Sequence, residues 1–309
     1  MRCIGLDIGG TKCAVSLAET KGGVEILQKK EVPTAGPEET LGALSPYIGA
    51  FARGGCTRAG ISCGGPLDPK AGVIVSPPNL PLWHGFAICG YLQERFGLRS
   101  RLCNDADACA LAEWKYGAGR GCENMVFLTF GTGLGAGLIL NGRLYEGANG
   151  NAGEVGHVRL SGNGPYGYGK NGSFEGFCSG GGIARLAAEM AGALPSLPAC
   201  VKEMGGAENV TAKKLAAYAF AGDDFARKVF AESGKMLGYG IAALIDALNP
   251  ERVIVGGVYM RAEKLIAPAM RAVLEKEALP ASLAACAVVP AGLGENVGDY
   301  AAVAAAEEV

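Results

Sequence analysis

Apolar and polar positions repeat one pattern twice along the chain. Residues 4–17 form an apolar run, then Gly9-Gly10-Thr11, then a second apolar run. Residues 125–140 do the same around Gly131-Thr132-Gly133. Two strand-length apolar runs joined by so few, glycine-rich residues predict a tight β-hairpin. Third strands are expected at 24–33 and at 143–146, so each half of the chain opens with a three-stranded unit. The first half continues with helices over 37–53, 88–96 and 106–116 and strands over 58–62, 73–76 and 99–103. The second half adds helices over 181–192, 223–248, 260–277 and 298–308, and one capped by Thr211. Its further strands fall at 252–255 and 287–290. Asn249-Pro250 stops the longest helix, since proline cannot continue one. Strands alternating with helices predict an α/β fold built from a duplicated unit.

The two hairpin turns carry candidate chemistry. Backbone N–H groups freed at such a turn form a concave nest for anionic oxygens, and Thr11 and Thr132 add hydroxyl donors. Asp7 lies just before the first turn, where the second copy has Thr129. A carboxylate beside a phosphate-binding loop suits Mg²⁺, which prefers oxygen ligands and keeps several of its waters. One Gly-Gly-Thr is an ordinary turn, but two matching copies point to a phosphate site. Further on, Glu154 and His157 sit among small residues on one glycine-rich segment, a pair able to hydrogen-bond a polyol. Phosphate nests tied to a polyol site suggest a sugar kinase.

Composition narrows the class. Basic residues number 28 against 30 acidic, so no broad field invites nucleic acid. No apolar run approaches the roughly 20 residues of a membrane span, and residue 1 opens no basic, apolar leader. The 11 cysteines contain no CxxC pair. Several, such as Cys3, Cys13, Cys103 and Cys109, fall inside apolar strand or helix patterns, which fits buried thiols in a reducing cytoplasm.

DIGGTK (7–12), NDADACALAEW (104–114), GTGLGAG (131–137) and GANGNAGEVGH (147–157) together resemble the ROK family, in the family's order. That family comprises bacterial sugar kinases and sugar-responsive repressors. The resemblance implies duplicated ribonuclease-H-like (actin-like ATPase) α/β domains around an interdomain cleft. Residues 1–117 would form the smaller one, joined by the C-terminal helix 297–309, and residues 118–296 the larger. It implies ATP and Mg²⁺ as cofactors, a homodimer, and a hexose or N-acetylhexosamine phosphorylated at C6. Asp105 would be the catalytic base. Asn79, Asn104, Asp105, Glu154, His157 and Glu175 would bind the sugar. Asp7, Gly9, Gly10, Thr11, Lys12, Gly131, Thr132, Gly133, Gly256 and Gly257 would bind the nucleotide, with Asp7 reaching Mg²⁺ through water.

Each of these positions also has a structural reading. Asn79, among prolines, could simply shape its loop; Asp105 could be a helix N-cap; His84 reads as structural; and Asp107 points away from Asp105. The family's cysteine-rich zinc motif is missing: Tyr166, Tyr168 and Ser173 stand where its three cysteines would be. A structural zinc needs about four N or S ligands, so no zinc is expected, and His157 keeps only its sugar-facing role. Two other readings compete. A sugar-responsive repressor would carry a DNA-binding helix-turn-helix, whereas here the first strand is expected within three residues of Met1. A non-catalytic sugar-binding relic would typically lose Asp105 or a phosphate loop.

Overall fold

A computed structural model describes residues 1–21 and 23–309, apart from the side chain of Glu295. The chain divides into two compact units. The first comprises residues 1–121, 137–152 and 292–309; the second comprises residues 122–136 and 153–291.

The first unit is built on a sheet of order β3-β2-β1-β4-β7. Strands β1 (Arg2–Ile8), β2 (Lys12–Glu19) and β3 (Glu25–Pro33) form an antiparallel meander. β4 (Arg58–Cys63) and β7 (Arg99–Asn104) lie parallel to β1, and a two-residue ladder, β5 (Leu67–Asp68) with β6 (Val73–Ile74), falls between them in sequence. Parallel strands need long crossovers, supplied here by α1 (Pro37–Arg53) and α2 (Ile88–Phe96). The apolar sides of Ile4, Leu6, Ile61, Leu41 and Ile48 close one core.

Helix α3 (Asp105–Tyr116) follows β7 without a loop. Its cap is Asn104, and not Asp105, for which capping is the structural alternative. The Asn104 Oδ1 accepts from the Ala106 N–H at 2.9 Å, and Asp105 is the first helical residue, its own Oδ1 accepting from the same N–H at 2.8 Å. Asn caps as well as Asp, so the sequence did not separate the two. Helix α11 (Val297–Ala306) packs against α3, β1 and β4, its residues Ala301 to Ala306 buried. Such closeness depends on small residues: a Cβ on Gly60 would collide with the Ala302 carbonyl and the Ala306 N–H.

The second hairpin is β8 (Met125–Phe130) and β9 (Leu134–Ile139). The strand expected at 143–146 is reduced to a single bridge, Ile139 to Leu144. It follows the turn-forming Asn141-Gly142 at once, and with charged Arg143 and Glu146 at its two ends it offers only Leu144 and Tyr145 as apolar residues, too few to extend a ladder. The second unit contains α4 (Phe174–Phe177), α5 (Gly180–Gly192), α6 (Ala199–Glu203), α7 (Ala212–Ala221), α8 (Asp224–Leu248), α9 (Val258–Glu277) and α10 (Pro280–Ala285). A short hairpin, β10 (Tyr166–Gly167) with β11 (Lys170–Asn171), precedes them. β12 (Arg252–Val255) and β13 (Ala287–Pro290) complete the sheet order β13-β12-β8-β9, with β12 parallel to both β8 and β13. Thr211 caps α7 as expected, its hydroxyl accepting from the Lys214 N–H.

Candidate active site

In the first unit, the carboxyl ends of three parallel strands meet one cavity. Ligands of α/β folds lie beyond such ends. The cavity, about 170 Å³, is walled by Asp7 to Gly10 from β1 and its turn and by Cys63 to Gly65 after β4. Residues Pro77 to Leu80, together with Asp105 at the end of β7, close it. Asp7, Gly9, Gly10, Asn79 and Asp105, expected from sequence to be functional, are therefore brought together. Asn79 presses on the glycine turn so closely that a Cβ on Gly10 would lie 2.9 Å from both its Cβ and its carbonyl oxygen. Asn104 is held beside the cavity, its Nδ2 3.2 Å from where a Cβ on Gly65 would be.

The turn itself is braced from the start of β2 and from Thr34, just past β3. The Gly9 N–H donates to the Lys12 carbonyl at 3.1 Å, and the Thr34 hydroxyl donates to the Gly9 carbonyl at 2.6 Å. Lys12 is exposed and pairs with Glu31 at 2.8 Å. Sequence reasoning missed Thr34 and the Cys63-Gly64-Gly65 wall. For the wall the signal was available, since glycines at a strand end commonly mark close approach of a ligand.

Asp7 is largely buried, and its carboxyl is pushed up to about 6 by that burial and by the neighbouring Asp299 and Asp105, with Lys29 and Lys12 opposing. Burial among like charges disfavours the carboxylate, and a divalent cation would reverse this. An oxygen donor of this kind fits Mg²⁺.

In the second unit a different group of glycines converges. The Gly131 N–H donates to the Gly133 carbonyl at 3.0 Å, closing the turn, and the Gly180 N–H at the start of α5 donates to the Gly131 carbonyl at 2.8 Å. Gly257 has φ of 62°, and a Cβ there would strike the Phe130 carbonyl beside Gly131. Only glycine tolerates both conditions. Gly131, Gly133, Gly256 and Gly257 thus lie around one turn, with Thr132 exposed at its tip.

Glu154, His157 and Glu175 meet around Tyr168. The Tyr168 hydroxyl donates to Glu154 Oε2 at 2.6 Å, and its ring stands edge-on to His157 at 5.2 Å. Glu175 braces backbone while keeping acceptor capacity: its carboxylate accepts from the N–H groups of Leu134 at 3.1 Å and Tyr168 at 3.0 Å. A family-type zinc does not fit these residues. Ser173 is buried, capping α4 and donating to the Gly167 carbonyl, while Tyr166 and Tyr168 are exposed phenols. Among the described residues no cluster of three or more His, Cys, Asp or Glu side chains could hold a metal.

The sequence matches the ROK family over residues 3–308. It is 34% identical over 289 residues to a glucokinase of Halalkalibacterium halodurans, covering 90% of this chain and 86% of that protein. The crystal structure of a ROK family glucokinase from Streptomyces griseus in complex with glucose and AMPPNP shares 30% identity and a TM-score of 0.77, covering 100% and 99% of the two chains. Relatives of another kind also match. The DNA-binding transcriptional dual regulator NagC of Escherichia coli is 29% identical over 292 residues, covering 90% of this chain and 68% of that protein. The mixed α/β architecture is the actin-like ATPase fold expected from sequence.

Proposed function

Since this chain belongs to the ROK family, we propose that it is an ATP-dependent sugar kinase, phosphorylating a hexose or N-acetylhexosamine, with Asp105 as general base. The observation that carries this reading is the single cavity that joins Asp105 and Asp7 to the Gly9-Gly10 turn and the Asn79 loop. A carboxylate at a strand end takes the proton of a sugar hydroxyl, at C6 by the family resemblance, and that oxygen attacks the γ-phosphate of ATP, releasing ADP. Asn79, Asn104, Glu154, His157 and Glu175 hold sugar hydroxyls. The turns at Gly9–Lys12 and Gly131–Gly133, with Gly256 and Gly257, hold the nucleotide. Mg²⁺, when bound with ATP, would supply charge against the phosphates, and Asp7 would hold it through water. Little covalent chemistry is asked of the protein; positioning and charge stabilisation carry the rate.

The chain works as a homodimer in the cytoplasm on this reading. None of the 11 cysteines is in a disulfide, and among the described residues no helix is long and apolar enough to cross a membrane. The test is ADP release from MgATP across a panel of hexoses and N-acetylhexosamines, which should be sugar-dependent for at least one. The similarity to NagC favours a second reading, a sugar-binding regulator without turnover. It predicts saturable sugar binding by calorimetry with no ADP formed.

A further inference from the structure

Tyr168 stands at a costly place in the backbone. It and Gly169 are the two residues joining β10 to β11, with φ of 46° and 79°. Positive φ at both centres is the twist a two-residue hairpin favours, and Asn-Gly fills it best. A bulky aromatic at the first position is an outlier whose strain the surroundings must offset. The offset is visible. The backbone N–H of Tyr168 is held by Glu175, its hydroxyl by Glu154, and its ring lies against His157.

The next strand supplies the other half. Lys170 Nζ lies 3.2 Å from His157 Nδ1. An ammonium has three donors and no lone pair, so Nδ1 must accept. A neutral imidazole carries one N–H, which is then on Nε2. The far side of the ring is thereby made a donor, the same tautomeric control that a bound metal exerts on a histidine ligand.

We propose that Tyr168 and Lys170 are positioning residues for a polyol site, orienting Glu154 as an acceptor and His157 as an Nε2–H donor without a metal. The ligand class is a pair of neighbouring sugar hydroxyls, one donating to Glu154 and one accepting from His157. The sugar as occupant rests on the kinase reading above; the tautomer and the strained turn do not.

The experiment has two arms. In the first, Tyr168→Phe and Tyr168→Asn are compared with the unmodified chain for thermal stability and for the KM of sugar and of ATP. Tyr168→Phe should raise the sugar KM about tenfold, the loss of one hydrogen bond to a charged group, and leave the ATP KM unchanged. Tyr168→Asn relieves the turn, so its Tm should hold or rise while the sugar KM rises at least as far. A residue that serves only the fold would show the reverse, a lower Tm with sugar KM intact, and that result overturns the proposal. The second arm reads His157 directly by ¹⁵N NMR at about pH 8.5, above the ordinary imidazole range. With His84→Gln it is the sole histidine, since the chain has 2. The Nε2–H tautomer should dominate, and Lys170→Met should shift the population toward Nδ1–H. An Nδ1–H ring in the unmodified chain overturns the role of Lys170. This arm needs no turnover, so it stands apart from failure of the kinase assignment.

Discussion

Asp7 and Asp105 face one cavity from the ends of β1 and β7, the two strands on either side of β4, and burial, with Asp299 and Asp105 nearby, holds the Asp7 carboxyl up at about 6. In the free protein Asp7 therefore keeps its proton at pH values where the unfolded chain has lost it, near 3.8. Its contribution to stability is full below about pH 3.8 and is lost as pH rises through about 6. Asp7→Asn should thus stabilise the folded chain at pH 8 by up to about 3 kcal/mol, with the gain vanishing below pH 4. Thermal melts at pH 4, 6 and 8 check this, and an unchanged Tm at pH 8 would contradict it.

The two ligands should separate by residue. Glu154→Ala and His157→Ala are expected to raise the sugar KM by about one to two decades each and to leave the ATP KM near its starting value. Gly257→Ala should do the opposite, since its Cβ meets the Phe130 carbonyl beside the Gly131 turn at a φ of 62°. That variant also loses about 1–3 kcal/mol of stability. Steady-state kinetics with each substrate varied in turn is the check. If the Glu154 and His157 variants lose ATP affinity while sugar affinity holds, the sugar site lies elsewhere, with the Asn79 loop its main remaining candidate.

Glu113 ties down two chain segments. Fully buried on α3, its carboxylate accepts from the N–H groups of Ala118 at 2.7 Å, Gly292 at 3.0 Å and Leu293 at 2.9 Å. Glu113→Gln places an NH₂ against at least one of these donors. The expected loss is about 1–3 kcal/mol per stranded N–H, read as a lower denaturation midpoint. A midpoint equal to that of the unmodified chain would show that these N–H groups find other partners.

Much of this is legible in the sequence. The repeated apolar-glycine-apolar pattern placed both hairpins, and alternation of runs placed α1, β4, β7, α5, α8 and β12 within a residue or two. Cap identity was not legible: Asn104 and Asp105 are adjacent, and either side chain can cap. Nor was the third strand of the second hairpin, where pairing by analogy with 24–33 outran the apolar content of residues 143–146. Tyr166, Tyr168 and Ser173 could be read as absent cysteines, but not as an exposed phenol, a strained turn and a buried cap. Contacts between residues far apart in sequence, such as Glu175 with Leu134 or Thr34 with Gly9, leave no periodic signal. The Lys170–His157 pairing is of the same kind, two polar residues in a loop region that only the backbone path brings together.

The central claim is that Asp105 takes a proton from a bound sugar. The most direct measurement is sugar-dependent ADP release by Asp105→Asn, alongside calorimetric binding of the same sugar. An amide cannot accept that proton, so kcat should fall by about 10²–10⁴-fold or more while sugar affinity changes little. A variant that turns over near the unmodified rate would remove Asp105 from the mechanism and contradict the account.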